Sequence, residues 1–409
     1  MRPRSVTSLF QTAARAWLSL ALVSLALPVG LRSGLWLPLH LTLAGAVATA
    51  ISGAMQNFVL AMTATEGPSS WVVRARFGLL TSGVVAIAIG VPSQTTWAVA
   101  SGGVMFVGSM MMLGHLVARA WQRSLVRRHG ALVFGYAAAV TFVLVGATLG
   151  GVVGTGLVGG AHIASLRRAH VIANVLGFTS MTVLTTLVTF LPTLLRIRMP
   201  ARRAAPGLGL AAGGIVLLAA GAAADSRWVF FAGGWMFAAG ALAGCSIAFV
   251  ALRTSRSFAI PAAALHVIAA MAWFVAGSVA LAWATIRGPL ALDAARPWFL
   301  LVFVAGWSVQ VLLGAWTYLL PMALAGHPDD RRRWLAVGEL GGRSQVVIAN
   351  VGLILILAAA LGWAGSVVHD LGAALAVAAA SAAIVRAWAF RPLSRYATVG
   401  SVRAIDVWG

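Results

Sequence analysis

From Ala131 to Thr155 the chain runs without a charged side chain and is apolar on every face, and many similar runs follow along its length. About twenty such residues in a helix cross a ~30 Å hydrocarbon core. In lipid every backbone N–H and C=O must be paired internally, which leaves only helices or closed barrels. Barrel strands alternate apolar and polar residues, and these runs do not. The expected fold is therefore all-α, a polytopic membrane protein of about 12 transmembrane helices. Composition agrees. Of 409 residues 61% are hydrophobic and 9% charged, where a soluble domain is near one quarter charged.

The runs predict a single membrane domain over residues 1–409. Its spans lie near 15–34, 36–63, 78–93, 95–119, 131–152, 170–195, 208–224, 228–252, 262–286, 297–322, 344–363 and 370–389. All 29 basic residues are arginine. With a cytoplasmic N-terminus, 23 of them fall in cytoplasmic segments, leaving Arg32, Arg167, Arg168, Arg227, Arg287 and Arg296 on the other side. That asymmetry is what the positive-inside rule requires, so both termini are expected in the cytoplasm of a multi-pass cell-membrane protein. The net charge of +21 is spread over loops and span ends. It therefore implies the lipid bilayer as partner and no nucleic acid. No cleavable signal is expected, because the first apolar run continues into a second. Cys245 is the only cysteine, which excludes an intrachain disulfide and a cysteine-held metal cluster.

An internal repeat is visible. His170–Pro192 aligns without a gap on Phe299–Pro321, setting Gly177 on Gly306, Phe178 on Trp307, Leu191 on Leu320 and Pro192 on Pro321. The segment from His40 follows the same plan loosely. Spans two, six and ten are four apart, which suggests three four-helix arcs. Small residues and a terminal proline are also common in membrane helices generally.

The acidic residues (Glu66, Asp225, Asp293, Asp329, Asp330, Glu339, Asp370, Asp406) all sit in loops or at span ends. A proton-coupled transporter keeps carboxylates inside the membrane, so this pattern counts against one. The histidines carry more information. His40 opens span two and His170 opens span six, both at the outer leaflet, with His162 and His369 on the same side. Neutral imidazole ligates haem iron, copper or zinc, and helix-borne histidines are a usual way to hold a haem in a bundle. Two such rings from facing helices supply both axial positions of a haem, so His40 and His170 are the candidate cofactor ligands. Asn174, one turn from His170 on the same face, is the candidate to orient a ligand. His162 and His369 are candidates for a separate copper site. Set against this, a histidine at a span end is often only an interfacial polar residue. Met110, Met111 and Met112 fan around their helix and cannot converge on one ion. The Gly-rich run 150–160 precedes no phosphate-binding lysine.

LHLTLAGAVATAISGAMQNF resembles the second helix of haem–copper oxidase subunit I-like proteins. HVIANVLGFTSMTVLTTLVTFLP resembles the His-x3-Asn-x2-Gly-aromatic helix, ending in Leu-Pro, of the broader superfamily that includes NnrS-type haem and copper membrane proteins. GWSVQVLLGAWTYLLP, followed by GGRSQVVIANVGL, is similar to the membrane domain fused to actinobacterial copper nitrite reductases and multicopper oxidases. The resemblance covers nearly the whole chain. It implies haem b or copper, and electron transfer in nitric-oxide metabolism, denitrification or copper-linked respiration. The implied partner is a cupredoxin-type copper protein or another respiratory electron donor. The oxidases themselves carry six ligand histidines, including a pair near span seven and a His-x-His on span ten. Here Phe299 stands at the position matching His170, and the segment after span seven reads ADSRW, so a complete oxygen- or NO-reducing centre is not expected. The alternative is a cofactor-free transporter or scaffold whose histidines are incidental.

Overall fold

In a computed structural model of the chain, residues 3–197, 205–254, 260–325 and 327–390 are described. Arg2, Arg198, Arg202, Arg203, Arg256, Arg391, Arg395, Arg403 and Asp406, which enter the charge reading above, lie outside these residues. The described chain is helical with no strand among those residues, and it is an all-α polytopic membrane protein. Among the described residues eleven helices are long and apolar enough to cross a membrane, one fewer than the twelve spans expected, because the first helix is not among them.

The long helices are α1 (Pro3–Ser24), α2 (Trp36–Thr63), α3 (Ser70–Gly90), α4 (Thr96–Gln122), α5 (Gly130–Gly154), α6 (His162–Leu194), α7 (Ala205–Ala223), α8 (Arg227–Thr254), α9 (Ala262–Thr285), α10 (Arg296–Leu324), α11 (Gly342–Ala360) and α12 (Ser366–Ala389). A short helix, Pro328–Glu339, precedes α11. It turns into α11 at Gly341, whose φ of +67° only glycine adopts without strain. The end of the bundle where α1 begins is called the N-terminal face below.

Three helices depart from the expected bounds, each for the same reason: polar residues enter the helix by turning inward. The first helix runs Pro3–Ser24, not 15–34. Its polar residues are buried against other helices: Gln11 donates to Ala50 O (3.1 Å) and Arg15 to Ala387 O (2.5 Å), a free carbonyl in the last turn of α12. The apolar stretch after Ser24 is not helical. Pro28 lies in it, and Ser33 (φ +51°) and Gly34 (φ +68°) turn the chain into α2. The third helix begins at Ser70, not 78, because Arg76 is 1% exposed and donates to Ser52 Oγ (2.5 Å) and Gln56 Oε1 (2.6 Å). The sixth begins two turns before His170, because Arg168, itself only 4% exposed, is paired with loop carboxylates at the end of the bundle.

Helices α2, α6 and α10 share an irregularity. Each contains a π-helical stretch soon after its start, at Leu41–Val47, Ile172–Ser180 and Leu301–Val309. The stretches of α6 and α10 occupy identical positions in the gapless alignment of the two segments. π-Turns are rare and concentrate at functional places, so their recurrence in register is far more specific than shared small residues. Trp307, fully buried, joins the two stretches by donating from Nε1 to Ser180 Oγ (3.0 Å), while its ring stacks on Phe274 of α9 at 4.3 Å.

Candidate functional site

His40 is the last residue before the π-stretch of α2, and His170 lies two residues before that of α6. Both are at the end of the bundle opposite the N-terminal face, and their rings meet. The centroids are 6.4 Å apart and the planes 13° from parallel.

Hydrogen bonds to main-chain carbonyls fix each ring. His40 Nδ1 lies 2.9 Å from Trp36 O, one turn back on its own helix, and the ring stacks on the Trp36 indole at 4.0 Å. His170 Nδ1 lies 2.7 Å from Gly146 O on α5. A carbonyl oxygen only accepts, so in both rings the proton sits on Nδ1 and the lone pair on Nε2. Neither Nε2 has a hydrogen-bond partner among the described residues. Nδ1–H on a carbonyl with Nε2 left basic is the arrangement that orients metal-ligating histidines.

The spacing fits an ion between the rings. A metal about 2 Å from each nitrogen sets the nitrogens about 4 Å apart, and the centroids, each roughly 1 Å behind its nitrogen, about 6 Å apart. In residue type, tautomer and centroid spacing the two histidines suit a bis-imidazole centre.

α5 makes room for this. A Cβ on Gly150 would lie 2.5 Å from His170 Cε1 and 2.6 Å from Nδ1, and one on Gly146 would lie 2.4 Å from Asn174 Nδ2. These two glycines, one turn apart, form the surface against which His170 and Asn174 rest. Asn174 Nδ2 donates to the main-chain O of His170 (2.8 Å). Its 3.2 Å approach to His170 Nδ1 brings two donors together, because that nitrogen's proton is committed to Gly146. Asn174 thus acts on the backbone of α6, and the group that orients the His170 ring is the Gly146 carbonyl. Sequence reasoning missed Gly146, Gly150 and Trp36. The only signal for the glycines was their four-residue spacing in a helix rich in small residues.

Two residues before His170, Arg168 on α6 closes a clasp onto the segments joining α7 to α8 and α9 to α10. It donates to Asp293 (2.8 Å) and to Asp225 (3.2 Å), and Asp293 also pairs with Arg296 (3.1 Å). The other candidates lie apart from the ring pair's chemistry. His162 is exposed, and His369 is half exposed and paired with Asp370 (3.2 Å). No group of three or more histidine, cysteine or acidic side chains able to hold a metal ion occurs among the described residues, so His162 and His369 gain no third donor there. No protein-family model matches the chain, and no curated protein matches it.

Proposed function

We propose that the chain is a haem-binding membrane protein, with His40 and His170 as the two axial ligands of a b-type haem. The observation that carries this reading is the ring pair itself: parallel imidazoles 6.4 Å apart, each with Nδ1 held by a carbonyl and Nε2 free. Two neutral imidazole nitrogens also suit copper, the second choice of metal. A bis-histidine haem is coordinatively full and serves one-electron transfer rather than gas binding. The chain's own residues hold the two rings in one tautomer and at one spacing, so that little rearranges when charge changes.

The role is then electron transfer linked to nitric-oxide or copper respiration, without oxygen or NO reduction at this site. The electron donor is a cupredoxin-type copper protein or another respiratory carrier. The arginine asymmetry supports a cytoplasmic N-terminal face, which would set the histidine pair near the outer surface, within reach of such a donor.

Purified protein tests this. The reading expects a Soret band with a low-spin b-type spectrum, lost in both His40→Ala and His170→Ala. Full haem and metal content in both variants would overturn it.

A further inference from the structure

A cavity of about 310 Å³ lies where α2, α6 and α10 converge against α1. Its walls run from Val47 to Phe58 on α2 and from Thr179 to Phe190 on α6. At a rise of about 1.5 Å per residue it is therefore about 16 Å long, and counting the radius of the water that fits within it, the clear width between its walls is roughly 8 Å. It begins seven residues beyond His40 and nine beyond His170, so it is separate from the ring pair, and it is too narrow for a flat macrocycle.

The lining chemistry decides what it takes. No charged side chain lines it among the described residues. The polar groups that face it are largely committed elsewhere. Thr182 Oγ1 donates to Phe178 O (2.7 Å), Thr186 Oγ1 to Thr182 O (2.8 Å), and Ser308 Oγ to Phe303 O (2.6 Å). Gln11 is held between Ala50 O and the Trp316 indole, whose Nε1 donates to Gln11 Oε1 (2.8 Å). With the hydroxyls of Thr182, Thr186 and Ser308 turned back onto their own helices, the walls are mostly methyls, methylenes and rings, with Asn57 and Thr179 the remaining polar residues along them. Such cavities stay dry and take apolar ligands.

The shape narrows the choice further. The deep end, at Val47, Thr179 and Ser308, is buried, whereas Phe58, Met322 and Ala323 at the N-terminal face are only partly covered. The cavity is thus a blind, narrow, apolar tube with its mouth at the level where a bilayer carries headgroups. Carbon chains pack at contacts of about 4 Å, and a tube of this width and length accepts an extended polymethylene chain but not a bulky ring system. We infer that the tube binds one acyl chain of a membrane phospholipid, whose headgroup stays at the mouth. Three helices that otherwise meet around a hole are then packed against a chain.

The test uses the full-length protein purified in mild detergent. Native mass spectrometry is expected to show one retained phospholipid per chain, reduced at least fivefold in Ala315→Trp and in the gentler Ala54→Leu, which block the tube. Wild-type protein without any variant gives a second reading: a phospholipid spin-labelled on its acyl chain shows an immobilised component. Absence of both signals, retention of a free fatty acid or an isoprenoid instead, or full phospholipid retention in both blocked variants overturns the inference. Haem content is read in the same samples and is expected to be unchanged, so failure here is separable from failure of the haem assignment.

Discussion

Gly150 shows how much of this site is set by what a residue lacks. The His170 ring occupies the place where a Cβ at position 150 would project, so any larger residue must push the ring away from its partner. Overpacking of this kind costs about 1–3 kcal/mol in a well-packed interior, and here the displaced group is a candidate ligand. Gly150→Val is expected to lower haem content at least tenfold, measured by pyridine haemochrome. Gly151→Val, where a Cβ meets nothing within 4 Å, is expected to leave it unchanged; equal behaviour of the two would remove the ring position from the argument. Arg76 makes the opposite point, that a charge can lie inside when neutral acceptors surround it. Its guanidinium reaches Ser52 and Gln56 and lies 4.7 Å over the Phe10 ring, tying α1, α2 and α3 together. A lysine has no fork to bridge two acceptors, so Arg76→Lys is expected to cost about 1.5–3 kcal/mol, the worth of one hydrogen bond to a charged group. A fall in melting temperature checks it. His40 and His170 were legible as residues because imidazole at a span end is chemically conspicuous. Their partners were not, because a carbonyl acceptor and a missing Cβ have no side-chain signature.

At the level of elements, the alignment of α6 with α10 was readable from glycines and prolines, but the π-stretches were not. A π-turn arises from how neighbours accept a locally widened helix, and composition does not encode that. The link between the two stretches is the Trp307–Ser180 hydrogen bond. Trp307→Phe keeps an aromatic ring for the stack on Phe274 but removes the indole donor, a loss of about 1 kcal/mol, and leaves a small cavity that adds to it. Ser180→Ala removes the same bond from the other side. The two together are expected to destabilise by less than their sum, since contacting residues that share one interaction are not additive. Strict additivity in thermal unfolding would show that the bond contributes nothing. The misplaced bounds of α1 and α3 have a related cause. Hydropathy treats Gln11, Arg15 and Arg76 as surface markers, whereas the bundle satisfies all three internally, so a helix continues through positions that read as its end.

For the whole molecule, hydropathy and arginine placement carried most of the legible information, because insertion into lipid is decided by those two quantities. What they imply about sidedness is open to direct measurement, and the chain is well suited to it. Its single cysteine, Cys245, is buried within α8, so the unmodified protein gives little background to thiol reagents. Leu125, 96% exposed, lies in the loop joining α4 to α5 on the N-terminal face, and Leu157, 77% exposed, lies between α5 and α6 on the opposite face. Arg119, Arg123, Arg127 and Arg128 flank Leu125, and the positive-inside rule expects a loop so basic to stay in the cytoplasm during insertion. Leu157→Cys is therefore expected to react with a membrane-impermeant maleimide in intact cells, and Leu125→Cys only after the membrane is permeabilised. The reverse pattern would invert the bundle, place His40 and His170 at the cytoplasmic surface, and rule out an extracytoplasmic copper protein as their electron donor.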